Sequence, residues 1–203
     1  MPEAATLTRR QFAAAVRGML RQRKPIVHPF TIIADNREQC PWTFGDLPEA
    51  RGRRQRVKTT RAYLRTGDYS IVGFAEDFTI ERKSLEDLYS TLGQNRERFE
   101  HEFERMQRMR FAAVVVEASW LEVLDPTLAR PAGDWLSNLH PASVAGTITA
   151  WSIRYPRVHW WFPGGRRRAE LLAWELITKF WREAESQPAS VAPPETKPQD
   201  EAA

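Results

Sequence analysis

Residues 66–88 read "TGDYSIVGFAEDFTIERKSLEDL". A Gly-Asp pair opens the stretch, two runs of β-formers follow, and the second ends in Glu81-Arg82-Lys83, with Asp87 four residues beyond. "DYSIVG" and "DFTIERK" read as the strands of a hairpin turning at 74–77. Side chains alternate faces along a strand, so Glu81 and Lys83 point one way and Arg82 the other. Pairing of the two strands then lets Asp68 approach Glu81 and Lys83. Charge on a strand that otherwise reads as buried needs a partner, a metal or a chemical task.

Two carboxylates and a lysine converging at a strand end are what metal-assisted phosphodiester hydrolysis needs. Carboxylates hold a hard divalent ion such as Mg²⁺, which keeps several waters and takes phosphate as a further ligand. The ion polarises the phosphate and lowers the pKa of the attacking water. Lysine orients or deprotonates that water, or stabilises charge developing on the phosphate. Alone, an Asp followed by Glu-x-Lys is a common coincidence, and a cross-strand ion pair on a solvated strand end accounts for it better.

Upstream, "FTIIAD" (30–35) reads as a buried strand, residues 39–55 as a Pro- and Gly-punctuated loop, and "RVKTTRAYL" (56–64) as a strand. Downstream, "SLEDLYSTL" (84–92) reads as a helix with Ser84 as N-cap, stopped by Gly93. A second helix begins in "NRERFEHEFERMQRM" (95–109), with Phe99, Phe103 and Met106 on one face. "FAAVVVEAS" (111–119) is the clearest buried strand, 141–153 a helix, "RVHWWF" (157–162) a strand. An amphipathic helix at 166–185 turns Leu171, Trp174 and Ile177 or Phe180 inward. This order predicts an α/β domain, three-layered α/β/α with a central mixed sheet, over 26–185. A basic helix (1–25) precedes it, and a Pro- and Glu-containing tail (186–203), expected to be disordered, follows.

The 203 residues suit one domain with a real core; 42% are hydrophobic and eight are Trp. There is no apolar run of ~20 residues and no secretory h-region, and the single cysteine, Cys40, excludes a disulfide framework and a cysteine-ligated zinc site within one chain. An intracellular location is expected. The net charge of +4 splits into −3 over 182–203 and +7 over the rest, a balance that suits a polyanion such as nucleic acid.

"IIADNRE" (32–38), "GDYSI" (67–71), "ERKSLEDL" (81–88) and "RERF" (96–99) together resemble the nuclease domain of the XPF/ERCC4 family of DNA endonucleases. The family signature is Gly-Asp, a variable interval, Glu-Arg-Lys, three residues, Asp. Gly67, Asp68, Glu81, Arg82, Lys83 and Asp87 meet it, and Asp35, Arg37 and Glu38 match the family's Asp-x-Arg-Glu element. The resemblance spans roughly 30–182 and is nearest to compact phage and bacterial versions.

The resemblance implies a restriction-endonuclease-like, PD-(D/E)xK fold and metal ligation by Asp68 and Glu81, helped by Asp35. The main-chain carbonyl of Arg82 is a further implied ligand. Lys83 would position the water, Arg37 and Arg82 would support the phosphate or brace the carboxylates, and Asp87 would hold Arg82 or Lys83. The implied activity is a Mg²⁺- or Mn²⁺-dependent, structure-selective DNA endonuclease of repair, recombination or phage DNA processing. Its partner would be branched or single-strand-containing DNA, with no membrane and with a homodimer or protein partner in view. Larger members carry a C-terminal helix-hairpin-helix module where this chain has its tail. The alternative is a non-catalytic DNA-binding scaffold on the same fold.

For DNA contact the sequence offers Arg51, Arg53, Arg54, Arg56 and Lys58, in and beside a polar loop, and Arg96, which opens the second helix with Arg98. A solvated charge run explains the first group nearly as well. Arg166–Arg168 raise the same question. Glu38 either touches a metal-bound water or is an acid favoured at a loop start. Glu117 reads first as a strand-end acid and second as a site-edge residue, and Trp42 and Phe44 either pack over the sheet end or stack on an unpaired base.

Overall fold

A computed structural model describes residues 8, 10–11, 24–129 and 137–186; the expected N-terminal helix and the tail from Gln187 lie outside the described residues. Six strands form one sheet: β1 (Ile26–Asp35), β2 (Gln55–Ala62), β3 (Tyr69–Ile71), β4 (Phe78–Lys83), β5 (Phe111–Val116) and β6 (Val158–Trp161). Their spatial order is β2-β1-β3-β4-β5-β6. Only β3 runs against its neighbours; the β1–β2, β4–β5 and β5–β6 pairs are parallel.

β1 starts four residues earlier than its apolar run predicts. Pro29 lacks an N–H for the ladder, and the β1–β2 register shifts between Val27 and Thr31 around it. β2 is the exposed edge strand, and its Arg56, Lys58 and Arg61 discourage pairing with another edge. The hairpin between β3 and β4 confirms the reading of 66–88. Gly67, just before β3, has φ +73°, and a Cβ there would lie 2.0 Å from Thr79 Oγ1, so only glycine fits.

Helices cover both faces, as the α/β/α reading requires. On one side lie α1 (Leu85–Gly93), α2 (Arg96–Met106), the short α3 (Trp120–Leu124) and α4 (Pro141–Arg154). They enclose Leu88, Tyr89, Phe99, Phe103, Met106, Trp151 and, from β5, Ala112, Val114 and Val116. On the other lies α5 (Arg166–Ser186), with Ala173, Trp174 and Ile177 against Ile32, Phe78, Ile80 and, from β5, Ala113 and Val115. The predicted inward positions of α5 hold for Trp174 and Ile177, whereas Leu171 and Phe180 are half-buried and Ala173 takes the inner place. α3 and a 3₁₀ turn at Pro126–Leu128 escaped the sequence reading because each is under two turns long.

No helix among the described residues is long and apolar enough to cross a membrane. The topology brings the ends of β1, β4 and β5 to one edge of the sheet. Asp68 joins them there because it immediately precedes the antiparallel β3.

Candidate active site

The edge carries a cavity of ≈ 840 Å³ whose lining includes Asp35, Arg37, Glu38, Asp68, Glu81, Arg82, Lys83 and Asp87. All seven residues expected to be catalytic therefore meet. Strand alternation divides them into two groups with different chemistry.

On the α1–α2 face, Glu81 and Lys83 are buried and the Lys83 ammonium lies 2.7 Å from Glu81 Oε1 and 3.0 Å from Asp87 Oδ2. Asp87 reaches it from the first turn of α1, whose N-cap Ser84 accepts from the Asp87 N–H. Of the two partners the sequence left open for Asp87, the structure selects Lys83. Asp68 Oδ2 accepts from the Arg82 N–H at 2.8 Å, and no donor among the described residues is assigned to its other oxygen. Burial pushes the Asp68 carboxyl up to about 7; the Arg82 N–H and Lys83 oppose this, and Glu38 and Glu102 add to it. Burial, and then the charge of Asp68, hold Glu81 well above the usual carboxylate range against the pull of Lys83. The two acids are short of positive charge.

On the α5 face the accounts balance differently. Arg82 grips Glu117 through Nε (2.7 Å) and Nη2 (2.9 Å), and Glu38 through Nη1 (3.1 Å). Glu117 also accepts from Trp42 Nε1 at 2.8 Å and Arg166 Nη1 at 3.1 Å. Burial works against the charge of Arg82, yet Glu117 and Glu38 hold its pKa above the normal value. Burial likewise opposes ionisation of Glu117, but the bonds from Arg82 and Trp42 keep it below its normal value. Trp42 is buried and stacks on Tyr69 at 4.7 Å, and Phe44 is buried beside it, so both pack over the sheet end. Arg166 fastens the loop below by donating to the carbonyls of Cys40 and Pro41. Arg167 instead pairs with Glu170 and Asp46.

Asp35, expected to help hold a metal, meets its own arginine here. Its Oδ1 accepts from the Arg37 N–H and Nε, both at 2.8 Å, and its Oδ2 from Arg37 Nη2 (3.1 Å) and the Leu64 N–H (2.7 Å). These bonds outweigh burial and lower its pKa. With both oxygens occupied, Asp35 fixes Arg37 and the entry to the 63–67 loop.

The expected DNA-contact residues do not gather at the cavity. Register pairs Gln55 with Ile26 and Ala62 with Asp35. Arg51, Arg53, Arg54 and Arg56 therefore lie toward the far end of the sheet, roughly 20–30 Å from the site at ~3.3 Å per residue, with Lys58 part-way along β2. Arg53 is tied to the Lys24 carbonyl at 2.8 Å. Arg96 turns away, donating to Thr147 Oγ1 at 2.6 Å with its guanidinium over Trp151. Instead Arg65, Arg98 and Arg105 line the cavity, with Glu102. Glu102 Oε1 accepts from the Gly67 N–H at 3.0 Å, bracing the turn that presents Asp68. Sequence spacing missed Glu102 and Arg105 because their contacts, with Gly67 and Thr66, lie 35 and 39 positions away.

The residues present fit a hard divalent cation. Half-buried Asp68 and buried Glu81 both line the cavity, and their raised pKa values mark too little counter-charge. Among the described residues no three His, Cys, Asp or Glu side chains form a closed metal cage. Mg²⁺ needs none, since one or two carboxylates with water and phosphate complete its shell.

A mixed sheet with its charged residues gathered at the strand ends places the molecule in the restriction-endonuclease-like class of α/β domains. The chain belongs to the ERCC4 domain family, whose model matches residues 34–164. Among solved structures it is similar to XPF from Aeropyrum pernix, with a TM-score of 0.52 and 17% identity over 83% of this chain and 68% of that one. A structure of XPF from Aeropyrum pernix in complex with DNA aligns at a TM-score of 0.48 and 17% identity, over 79% of this chain and 68% of that one. No curated protein matches the chain.

Proposed function

We propose that the protein is a Mg²⁺- or Mn²⁺-dependent DNA endonuclease that hydrolyses a phosphodiester bond at the Asp68–Glu81–Lys83 edge. The observation that carries this is the meeting in one cavity of half-buried Asp68 and buried Glu81 beside a lysine held by two acids. A bound divalent ion, held by Asp68 and Glu81, would polarise the phosphate and acidify the attacking water. Lys83 has three N–H donors, two of them engaged with Glu81 and Asp87. The third orients the water or meets charge on the phosphate. Arg82 acts through the fold, locking strand ends and loop together. Asp35 holds Arg37 at the rim. Family membership supports DNA as the substrate.

The test is cleavage of end-labelled single-stranded, duplex, nicked, 3′-flap and splayed-fork DNA with Mg²⁺, Mn²⁺ or EDTA. Wild type is expected to cut with metal, and Asp68→Asn or Glu81→Gln to lose about a thousandfold or more. Branched or single-strand-containing DNA is expected to be preferred. Binding without cutting under either metal would overturn the nuclease reading and leave a DNA-binding scaffold.

A further inference from the structure

The cavity's cations fall into two sets. Arg37 is paired with Asp35, Arg82 with Glu117 and Glu38, and Lys83 with Glu81 and Asp87. Among the described residues Arg105 donates to neutral acceptors, Thr66 Oγ1 at 3.2 Å and the His101 carbonyl at 3.1 Å. Arg65 and Arg98 are exposed, and no partner among the described residues is assigned to either.

These three belong to one ridge. Arg98, Glu102 and Arg105 fall at i, i+4 and i+7 of α2 and share a flank. Arg105 touches Thr66 and Glu102 touches Gly67, so the 65–67 loop, with Arg65, is joined to the same flank. The next residue is Asp68. Arg98 and Arg105 are separated by roughly 10 Å along the helix at ~1.5 Å per residue. A nucleic-acid strand places a phosphate about every 3.4 Å along a duplex axis, so a row of this length spans about three successive phosphate steps.

Resting on the nuclease reading above, we propose that Arg65, Arg98 and Arg105 form a phosphate-backbone subsite. It would hold the strand beside its scissile bond, a role the basic 51–58 segment at the other end of the sheet does not fill. Guanidinium groups with no ion pair assigned among the described residues, though Glu102 lies between two of them, are available for charge-assisted bonds to phosphate, without base readout.

The experiment measures binding of a fluorescent splayed fork by the full chain in EDTA, as anisotropy across a series of KCl concentrations. An Arg65→Gln/Arg98→Gln/Arg105→Gln variant is expected to bind at least tenfold more weakly. Its slope of log K against log salt should be shallower by about 2–3. The corresponding triple Lys variant should keep the slope, since phosphate needs only the charge, and this separates contact from a structural role of the arginines. An Arg51→Gln/Arg54→Gln/Arg56→Gln variant should leave the slope unchanged. An unaltered slope in the first variant, or loss in the third instead, would overturn the subsite. Wild-type cleavage with Mg²⁺, run alongside, separates the two claims: cutting with an unaltered slope removes the subsite and leaves the nuclease. Neither binding nor cutting removes both.

Discussion

The two sides of β4 differ by one residue in sequence and entirely in electrostatics. On one side Arg82 has two carboxylates, and Glu117 receives Arg82, Arg166 and an indole N–H. On the other, Asp68 and Glu81 share the field of one lysine, itself divided with Asp87. A buried charge network with every partner present rigidifies a fold. Buried anions lacking counter-charge are stable only if protonated or joined by a cation. On the proposed nuclease reading, the first side supports the site and the second would carry its chemistry.

The comparison breaks most readily through Glu117. Glu117→Ala leaves Arg82 buried against Glu38 alone, and an unfolding free energy lower by roughly 3 kcal/mol is expected in urea denaturation. Glu117→Gln should cost less and leave metal-dependent cleavage within a fewfold of wild type. A fall in cleavage of a hundredfold without loss of stability would place chemistry on the wrong side.

The next effect is on pH. Asp68 titrates near 7 in the folded protein and near 3.8 in an unfolded chain, so the native state holds its proton more tightly. That stability is present in full below about pH 4 and is lost as pH rises through about 7. Metal-free wild type should lose about 2 kcal/mol between pH 5 and pH 8, relative to Asp68→Asn. Mg²⁺, which favours the ionised form, should flatten the wild-type curve. Parallel pH profiles for the two proteins would contradict the account.

The smallest effect concerns Asp87, which is half-exposed. Asp87→Asn should slow kcat by about tenfold through looser placement of Lys83, with KM unchanged and stability altered by less than about 1 kcal/mol.

What the sequence made legible was local. Gly67 to Asp87 spans one hairpin and one helix turn, so strand alternation alone separates Arg82 from Glu81 and Lys83. The hidden contacts are long-range: Arg82 meets Glu117 35 positions on, and Arg166 meets the Cys40 carbonyl 126 positions back. No spacing rule encodes such pairs. The contact of Asp35 with Arg37 was not legible, because an Asp-x-Arg strand end reads alike whether the Asp faces a metal or its own arginine. Arg96 and Arg98 illustrate the limit of helical periodicity. At 100° per residue they flank the buried Phe99 stripe on opposite sides, and only tertiary structure decides which flank meets the cavity.

The most direct measurement is a calorimetric titration of Mn²⁺ into wild type, Asp68→Asn, Glu81→Gln and Glu117→Gln at pH 7.5. Saturable binding should appear in wild type and Glu117→Gln and vanish in the other two, placing the metal on the Glu81 side of β4. Undiminished binding in Asp68→Asn and Glu81→Gln, or loss confined to Glu117→Gln, would contradict it.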